Sequence, residues 1–269
     1  MTSIETSVVV ITGASSGIGE ALAYRYAQRN CKLVLAARSG SQLEVVSRQC
    51  TALGAIDVLS VPTDVTNETS CQSLISKTIK TFDCIDILIL NAGISSHFCF
   101  NETVDVAIYH QLMNTNFFGY LNCTKYAWPH LQRTNGQIVV ISSMSGEIGL
   151  PERTAYCASK FAVNGFFDAL DMEQQGGSAD SLVTITMVCP PSVKTNMRNH
   201  SIGSSSTSDK YPDKIDSRMP VEQCASLIVE AADKRVKKAY FPLKSSIAVY
   251  LRPFFPRLLN PIIRRSSKL

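Results

Sequence analysis

The chain has 269 residues, 45% of them hydrophobic and 18% charged, and a formal net charge of +4. That length and composition suit one large folded α/β domain and exclude a disordered chain. The positive charge is local: from Lys234 onward there are ten Lys and Arg and no Asp or Glu, which leaves 16 basic against 22 acidic residues before it, the wrong balance for a nucleic-acid groove on the body.

Along the chain, β-branched apolar runs predict strands at 7–12, 32–37, 56–61, 85–90, 137–142 and 182–188, with a short seventh at 239–243. Helical segments are predicted between them, at 17–29, 40–53, 67–82, 104–133 and 155–176. The strands are almost continuously apolar, as parallel strands covered on both faces should be. The alternation predicts a Rossmann-like, doubly wound α/β fold: a seven-stranded parallel sheet, helices on both faces, right-handed crossovers, one domain over 1–244. A polar stretch at 199–218 follows the sixth strand, where a lid over a site is expected.

Other readings are negative. Nine scattered cysteines with no Cys-x-x-Cys predict neither a disulfide framework nor a zinc site, and favour a reducing compartment. His97, His110, His130 and His200 show no metal spacing, so no metal is expected; His97 could line a substrate pocket. Val8-Val9-Val10-Ile11 is too short for a secretory segment, and no spanning run of about 18 apolar residues exists.

The first strand ends in Thr12-Gly13-Ala14-Ser15-Ser16-Gly17-Ile18-Gly19, and a helix follows. Glycines let the backbone turn sharply and approach a pyrophosphate, which the helix N-terminus then attracts. Gly13, Ser15, Ser16, Gly17, Ile18 and Gly19 are therefore candidate cofactor contacts. The spacing is Gly-x-x-x-Gly-x-Gly, and it resembles that of the short-chain dehydrogenase/reductase family. The resemblance runs from about Val8 to Leu243.

The second strand ends in Ala36-Ala37-Arg38-Ser39. An acidic residue there would select NAD; Arg38 can instead pair with a 2′-phosphate, with Ser39 beside it, so NADP(H) is the expected cofactor. The resemblance adds Asp64 and Val65 as adenine contacts and Asn91-Ala92-Gly93 as the turn after the fourth strand. After the sixth strand comes Pro190-Pro191-Ser192-Val193-Lys194-Thr195. The family pattern assigns the nicotinamide carboxamide to Val193 and Thr195. Pro191 stands where the family has glycine, and its fixed φ implies a rearranged loop.

Tyr156-Cys157-Ala158-Ser159-Lys160 puts a tyrosine and a lysine on one helix face. The pair alone is common. Ser143 lies 13 residues before Tyr156 at the end of the fifth strand, and Asn116 lies in the helix before that strand. Together they match the family's Asn-Ser-Tyr-Lys tetrad. Carbonyl reduction takes a hydride to carbon and a proton to oxygen, and a free tyrosine with pKa about 10 is too weak an acid for neutral pH. A lysine ammonium would lower it. The resemblance makes Tyr156 the acid, Lys160 its helper and a ribose contact, Ser143 the hydrogen-bond donor to the substrate oxygen, and Asn116 the holder of a relay water.

The chain ends in Ser267-Lys268-Leu269, a peroxisomal import address. Before it, 245–265 carries apolar residues at helical periodicity with interleaved arginines, broken by Pro253, Pro256 and Pro261. Residues 245–269 therefore read as a separate tail that packs on a subunit or the active site, or rests on a membrane surface. Ser246-Ile247-Ala248-Val249-Tyr250-Leu251-Arg252, Val104-Asp105-Val106 and Phe166-Phe167-Asp168 resemble the member-seven group of the family, its B branch above all. That resemblance implies a peroxisomal reductase of acyl- or alkyl-dihydroxyacetone phosphate. It also implies a homodimer or tetramer through the helices at 104–133 and 155–176. Steroid or retinoid dehydrogenation, and a non-catalytic NADP(H)-binding sensor or scaffold, stay open as alternatives. Group members often carry an N-terminal membrane anchor; either the branch differs here or Ser-Lys-Leu replaces anchoring as the targeting device.

Overall fold

Strands form where the apolar runs are. β1 (Val8–Thr12) and β2 (Lys32–Ala37) pair in parallel, from Val8 opposite Lys32 to Thr12 opposite Ala36. β3 (Asp57–Pro62) lies outside β2. On the other side of β1 come β4 (Ile87–Leu90), β5 (Gln137–Ile141), β6 (Thr184–Cys189) and β7 (Lys238–Tyr240). The computed structural model describes residues 6–101, 105–175, 182–197, 201–203, 218–242 and 244–266. Its sheet has the order β3-β2-β1-β4-β5-β6-β7, all pairings parallel. The expected doubly wound parallel fold is the observed one.

Successive strand residues point to opposite faces, and each face is covered. On one side Val8, Val10, Leu88 and Val140 pack with Leu74 of α3 (Glu68–Phe82), Tyr120 and Leu131 of α5 (Gly119–Thr134) and Phe167 of α6 (Thr154–Gln175). On the other, Val9, Ile11, Leu33 and Ile89 pack with Leu22 and Tyr26 of α1 (Gly17–Ala27), Leu43 of α2 (Gly40–Ala52) and Ile228 of α7 (Val221–Asp233). Each fully buried Leu or Ile stabilises the fold by about 1.5–3 kcal/mol. Two further helices, α8 (Lys244–Leu251) and α9 (Pro256–Ser266), follow β7.

Boundaries moved for local reasons. Pro62 ends β3 because this is the edge strand, where a missing N–H leaves no ladder bond unmade. β4 starts at Ile87 because the Asp86 carboxylate accepts from the Val8 amide at 2.7 Å. The single helix expected at 104–133 is α4 (Val106–Met113), a π-helical turn (Asn114–Phe118) and α5. In the π turn the Gly119 N–H reaches Asn114 O, one residue further back than in an α-helix.

The sheet changes direction between β1 and β4. The chain moves outward from β1 to β2 and β3, then returns to the other side of β1. A crevice therefore opens at the carboxyl ends of these strands, the place where such folds bind ligands.

Candidate active site

The glycine loop lines that crevice. Gly13 and Gly17 have φ of +65° and +60°, a region costly for other residues. A Cβ on Gly19 would sit 2.2 Å from Gly13 O, and one on Gly13 would sit 2.8 Å from the Ala92 Cα. The loop is thus pressed against both α1 and the turn after β4. Asn91, expected among the cofactor contacts, spends its side-chain amide on the loop, donating to Thr12 O at 3.0 Å and Gly13 O at 3.2 Å. It braces the cradle. Ser16 makes no side-chain cap at the start of α1, which leaves the helix end open towards a phosphate.

The other predicted cofactor residues surround this loop. Thr195 comes close to Gly17, 3.2 Å from a Cβ placed there. Val193 pairs with Met219 in an isolated bridge that steadies the segment after Pro191. Arg38 and Ser39 are exposed at the end of β2, and Ser39 accepts from Gln42 N as the cap of α2. Asp64 closes a turn onto Thr66 N and Oγ1 at 3.0 and 2.8 Å. Val65 is buried under Gly119, so its side chain serves packing. The cradle, the open helix end and the exposed guanidinium fit a dinucleotide.

The predicted tetrad converges from three elements. Ser143 follows β5, accepts from Ser145 N at 3.1 Å and lies near enough to the Tyr156 side chain to favour its phenolate. Tyr156 and Lys160 stand one turn apart on α6, and Lys160 is buried. Asn116 sits in the π turn, fully buried, and donates to Ile94 O at 3.0 Å and Ser159 Oγ at 2.9 Å while accepting from Ile94 N at 2.9 Å. Both its amide hydrogens are used. A relay water would therefore be held through an acceptor oxygen of Asn116.

The electrostatics differ from the sequence expectation. Lys160 Nζ donates to Ile141 O at 2.9 Å and lies 5.0 Å from the centre of the Tyr120 ring. Burial pulls its pKa down to about 8. Burial also raises the Tyr156 pKa; against it work first the Arg153 charge and then the nearby Ser143 hydroxyl. Arg153, which the sequence reading did not single out, holds its guanidinium 6.0 Å from the Tyr156 ring centre and donates to Ser95 Oγ at 3.3 Å. Its place three residues before Tyr156 was the available signal.

An apolar wall stands beside Tyr156. Phe98, Leu112 and Ala155 are buried with it, and Ile94, Ile108, Tyr109 and Ile202 pack against them. Ile202 belongs to the described part of the 199–218 stretch. It bridges to Ser96, accepts from His97 N at 3.1 Å and donates to Ser95 O at 2.9 Å. His97 also places Nε2 3.3 Å from the Glu152 carboxylate. The histidine thus ties the 94–98 loop to the residues just before α6. Ser267-Lys268-Leu269 lies outside the described residues.

Residues 7–204 match the family model for short chain dehydrogenases, and the chain belongs to this family of NAD(P)-using oxidoreductases. An 11-beta-hydroxysteroid dehydrogenase of Pinus massoniana is 36% identical, over 96% of this chain and 73% of its own length. A dehydrogenase/reductase SDR family protein 7-like of Dictyostelium discoideum is 34% identical, over 96% and 81%. Among solved structures, a short-chain dehydrogenase/reductase from Burkholderia phymatum in complex with NAD superposes with a TM-score of 0.83, at 24% identity and 96% coverage of both chains.

Proposed function

We propose that the chain is an NADP(H)-dependent carbonyl reductase and alcohol dehydrogenase of a lipid-like substrate, working in the peroxisome. The observation that carries this is Tyr156, with Lys160 one turn on and Ser143 near enough to favour its phenolate, set against an apolar wall of Ile94, Phe98, Tyr109 and Ile202. The nicotinamide, when bound, exchanges the hydride. In the reducing direction Tyr156 gives its phenolic proton to the carbonyl oxygen. Ser143 donates a hydrogen bond to that oxygen as it becomes negative. Arg153 stabilises the phenolate left behind. Lys160, with a pKa of about 8, is poised to return the proton and to hold the ribose, and Asn116 holds the backbone and water that link Lys160 to solvent. Arg38 and Ser39, exposed at the end of β2, favour the 2′-phosphate of NADP(H) over NAD(H).

For the substrate, the apolar wall supports a hydrophobic ketone, and the similarity to the member-seven protein supports an acyl- or alkyl-dihydroxyacetone phosphate. The names of several relatives, 11-beta-hydroxysteroid dehydrogenases, support a steroid as the second reading. Exposed Phe118 and Phe161, in the π turn and on α6, support a homo-oligomer through these helices. The terminal Ser-Lys-Leu supports peroxisomal import.

The test is NADPH oxidation by the purified protein with lipid, steroid and retinoid ketones, beside Tyr156→Phe. Turnover of one class, lost at least about a thousandfold in Tyr156→Phe with NADPH binding kept, supports the reading. NADPH binding without turnover across all three classes would favour the sensor or scaffold.

A further inference from the structure

The apolar stripe of the C-terminal helices is unused by dehydrogenase chemistry. Its base is anchored: Val249 of α8 packs against the core, and the rings of Tyr240 and Tyr250 meet edge-on at 6.1 Å. Arg252 donates to the Asn260 side chain at 3.0 Å, holding α9 against the turn after α8. Around α9, at 100° per residue, Leu258, Leu259, Ile262 and Ile263 share one face, while Arg257 and Arg264 lie opposite. Leu259 and Ile263 are half-buried. Leu258 and Ile262 are 67% and 55% exposed, and Phe254 before them is 76% exposed. Phe255, Leu251, Tyr250 and Ile247 continue the exposed set at spacings of three and four residues.

We infer that this tail is an in-plane anchor. It lays Phe254, Phe255, Leu258 and Ile262 into the headgroup–acyl boundary of an anionic bilayer, with its arginines among the phosphates. Charge selects the occupant. No Asp or Glu follows Asp233, so two copies of this surface would bring like charges together, whereas an anionic lipid layer complements them. A helix with an apolar face partly open to solvent and a cationic face opposite, of modest overall hydrophobicity, is the form that lies in an interface. No helix among the described residues is long and apolar enough to cross a membrane, so the contact is peripheral. Pro253, Pro256 and Pro261 keep it shallow and bent.

The anchor also lies next to the catalytic turn. Val249, Arg252, Pro253 and Pro256 line one cavity together with Glu147, which directly follows the 3₁₀ turn Met144–Gly146 after Ser143. A tail resting on lipid would hold this side of the enzyme at the membrane surface, where a poorly soluble substrate resides.

The test needs no turnover. The full chain with bound NADPH is sedimented with vesicles of phosphatidylcholine mixed with phosphatidylserine, and with vesicles of pure phosphatidylcholine. Binding to the mixed vesicles should exceed binding to the pure ones by about tenfold or more, and high salt should weaken it. Leu258→Glu/Ile262→Glu and Arg257→Glu/Arg264→Glu should each lose it about tenfold, with NADPH affinity and melting temperature unchanged as evidence of folding. No binding to mixed vesicles, or equal binding by either double variant, overturns the inference. So does a drop in solution mass for Leu258→Glu/Ile262→Glu without a change in vesicle binding, which would make a second copy of the chain the occupant.

Discussion

The cofactor side and the substrate side of the crevice are built by different means. On the cofactor side the backbone itself makes the site. Gly13 and Gly19 pack so closely that an added methyl group would overlap main-chain atoms, Gly17 needs a positive φ, and Asn91 ties the loop to β1 and β4. On the substrate side, side chains make the site: Ser143 beside Tyr156, Asn116 to Ile94 and Ser159, Arg153 to Ser95 and the Tyr156 ring, and the Ile202 side chain in the apolar cluster with Phe98. Backbone contacts have little tolerance and suit a cofactor that never changes. Side-chain contacts can be altered one at a time, as a substrate pocket requires.

A glycine on each side gives the largest test of this difference. Gly19→Ala puts a Cβ 2.2 Å from a main-chain oxygen that cannot move alone, and it should cost more than about 3 kcal/mol and remove cofactor binding. Gly165 lies exposed within α6 with nothing within 4 Å of an added Cβ. Gly165→Ala should stabilise by about 0.5–1 kcal/mol through helix propensity. Urea unfolding of both variants checks the pair. A tolerated Gly19→Ala would end the claim that backbone contact defines the cofactor side.

Arg38→Asp tests the one place where the cofactor side depends on a side chain. The substitution removes the 2′-phosphate partner and adds a repelling charge, so the NADPH Kd should rise about a hundredfold while the NADH Kd changes less than about threefold. Fluorescence titration with each nucleotide measures both. Equal losses for the two would mean that Arg38 is a solvated surface charge.

The same division explains what was legible in the sequence. The fold and cradle depend on local patterns: apolar runs of strand length, helices between them, and glycines at fixed offsets after the first strand. The tetrad residues could also be placed, because a strand end and a helix turn set their spacing. The π turn at Asn114–Phe118 left no mark, since one extra residue per turn changes neither composition nor apolar spacing. The pairing of Ser96 with Ile202 joins segments about a hundred residues apart that carry no matching pattern. What Lys160 touches is set in the same non-local way. Its i,i+4 spacing from Tyr156 was plain, but the draw of Ile141 O and the Tyr120 ring arises only when β5, α5 and α6 pack.

Arg153 carries the smallest predicted effect and the most specific one. Its charge favours the phenolate, so it holds the Tyr156 pKa below where burial alone would put it. Alcohol oxidation needs the phenolate as base, and the rate therefore rises with pH through the Tyr156 pKa. Arg153→Met removes the charge while keeping an unbranched apolar side chain. The pKa should rise, the midpoint of the kcat/KM profile should move to higher pH, and activity below the midpoint should fall about three- to tenfold. Above the midpoint the two proteins should converge, which a damaged pocket would not do. Arg153→Lys should restore most of the midpoint, because a nearby cation is what matters more than the guanidinium fork. A pH profile of Arg153→Met that coincides with the parent protein would leave the phenolate to Ser143 and to Lys160 turned towards it by bound cofactor. The substrate side would then owe its proton chemistry to the tetrad alone, without the arginine just before α6.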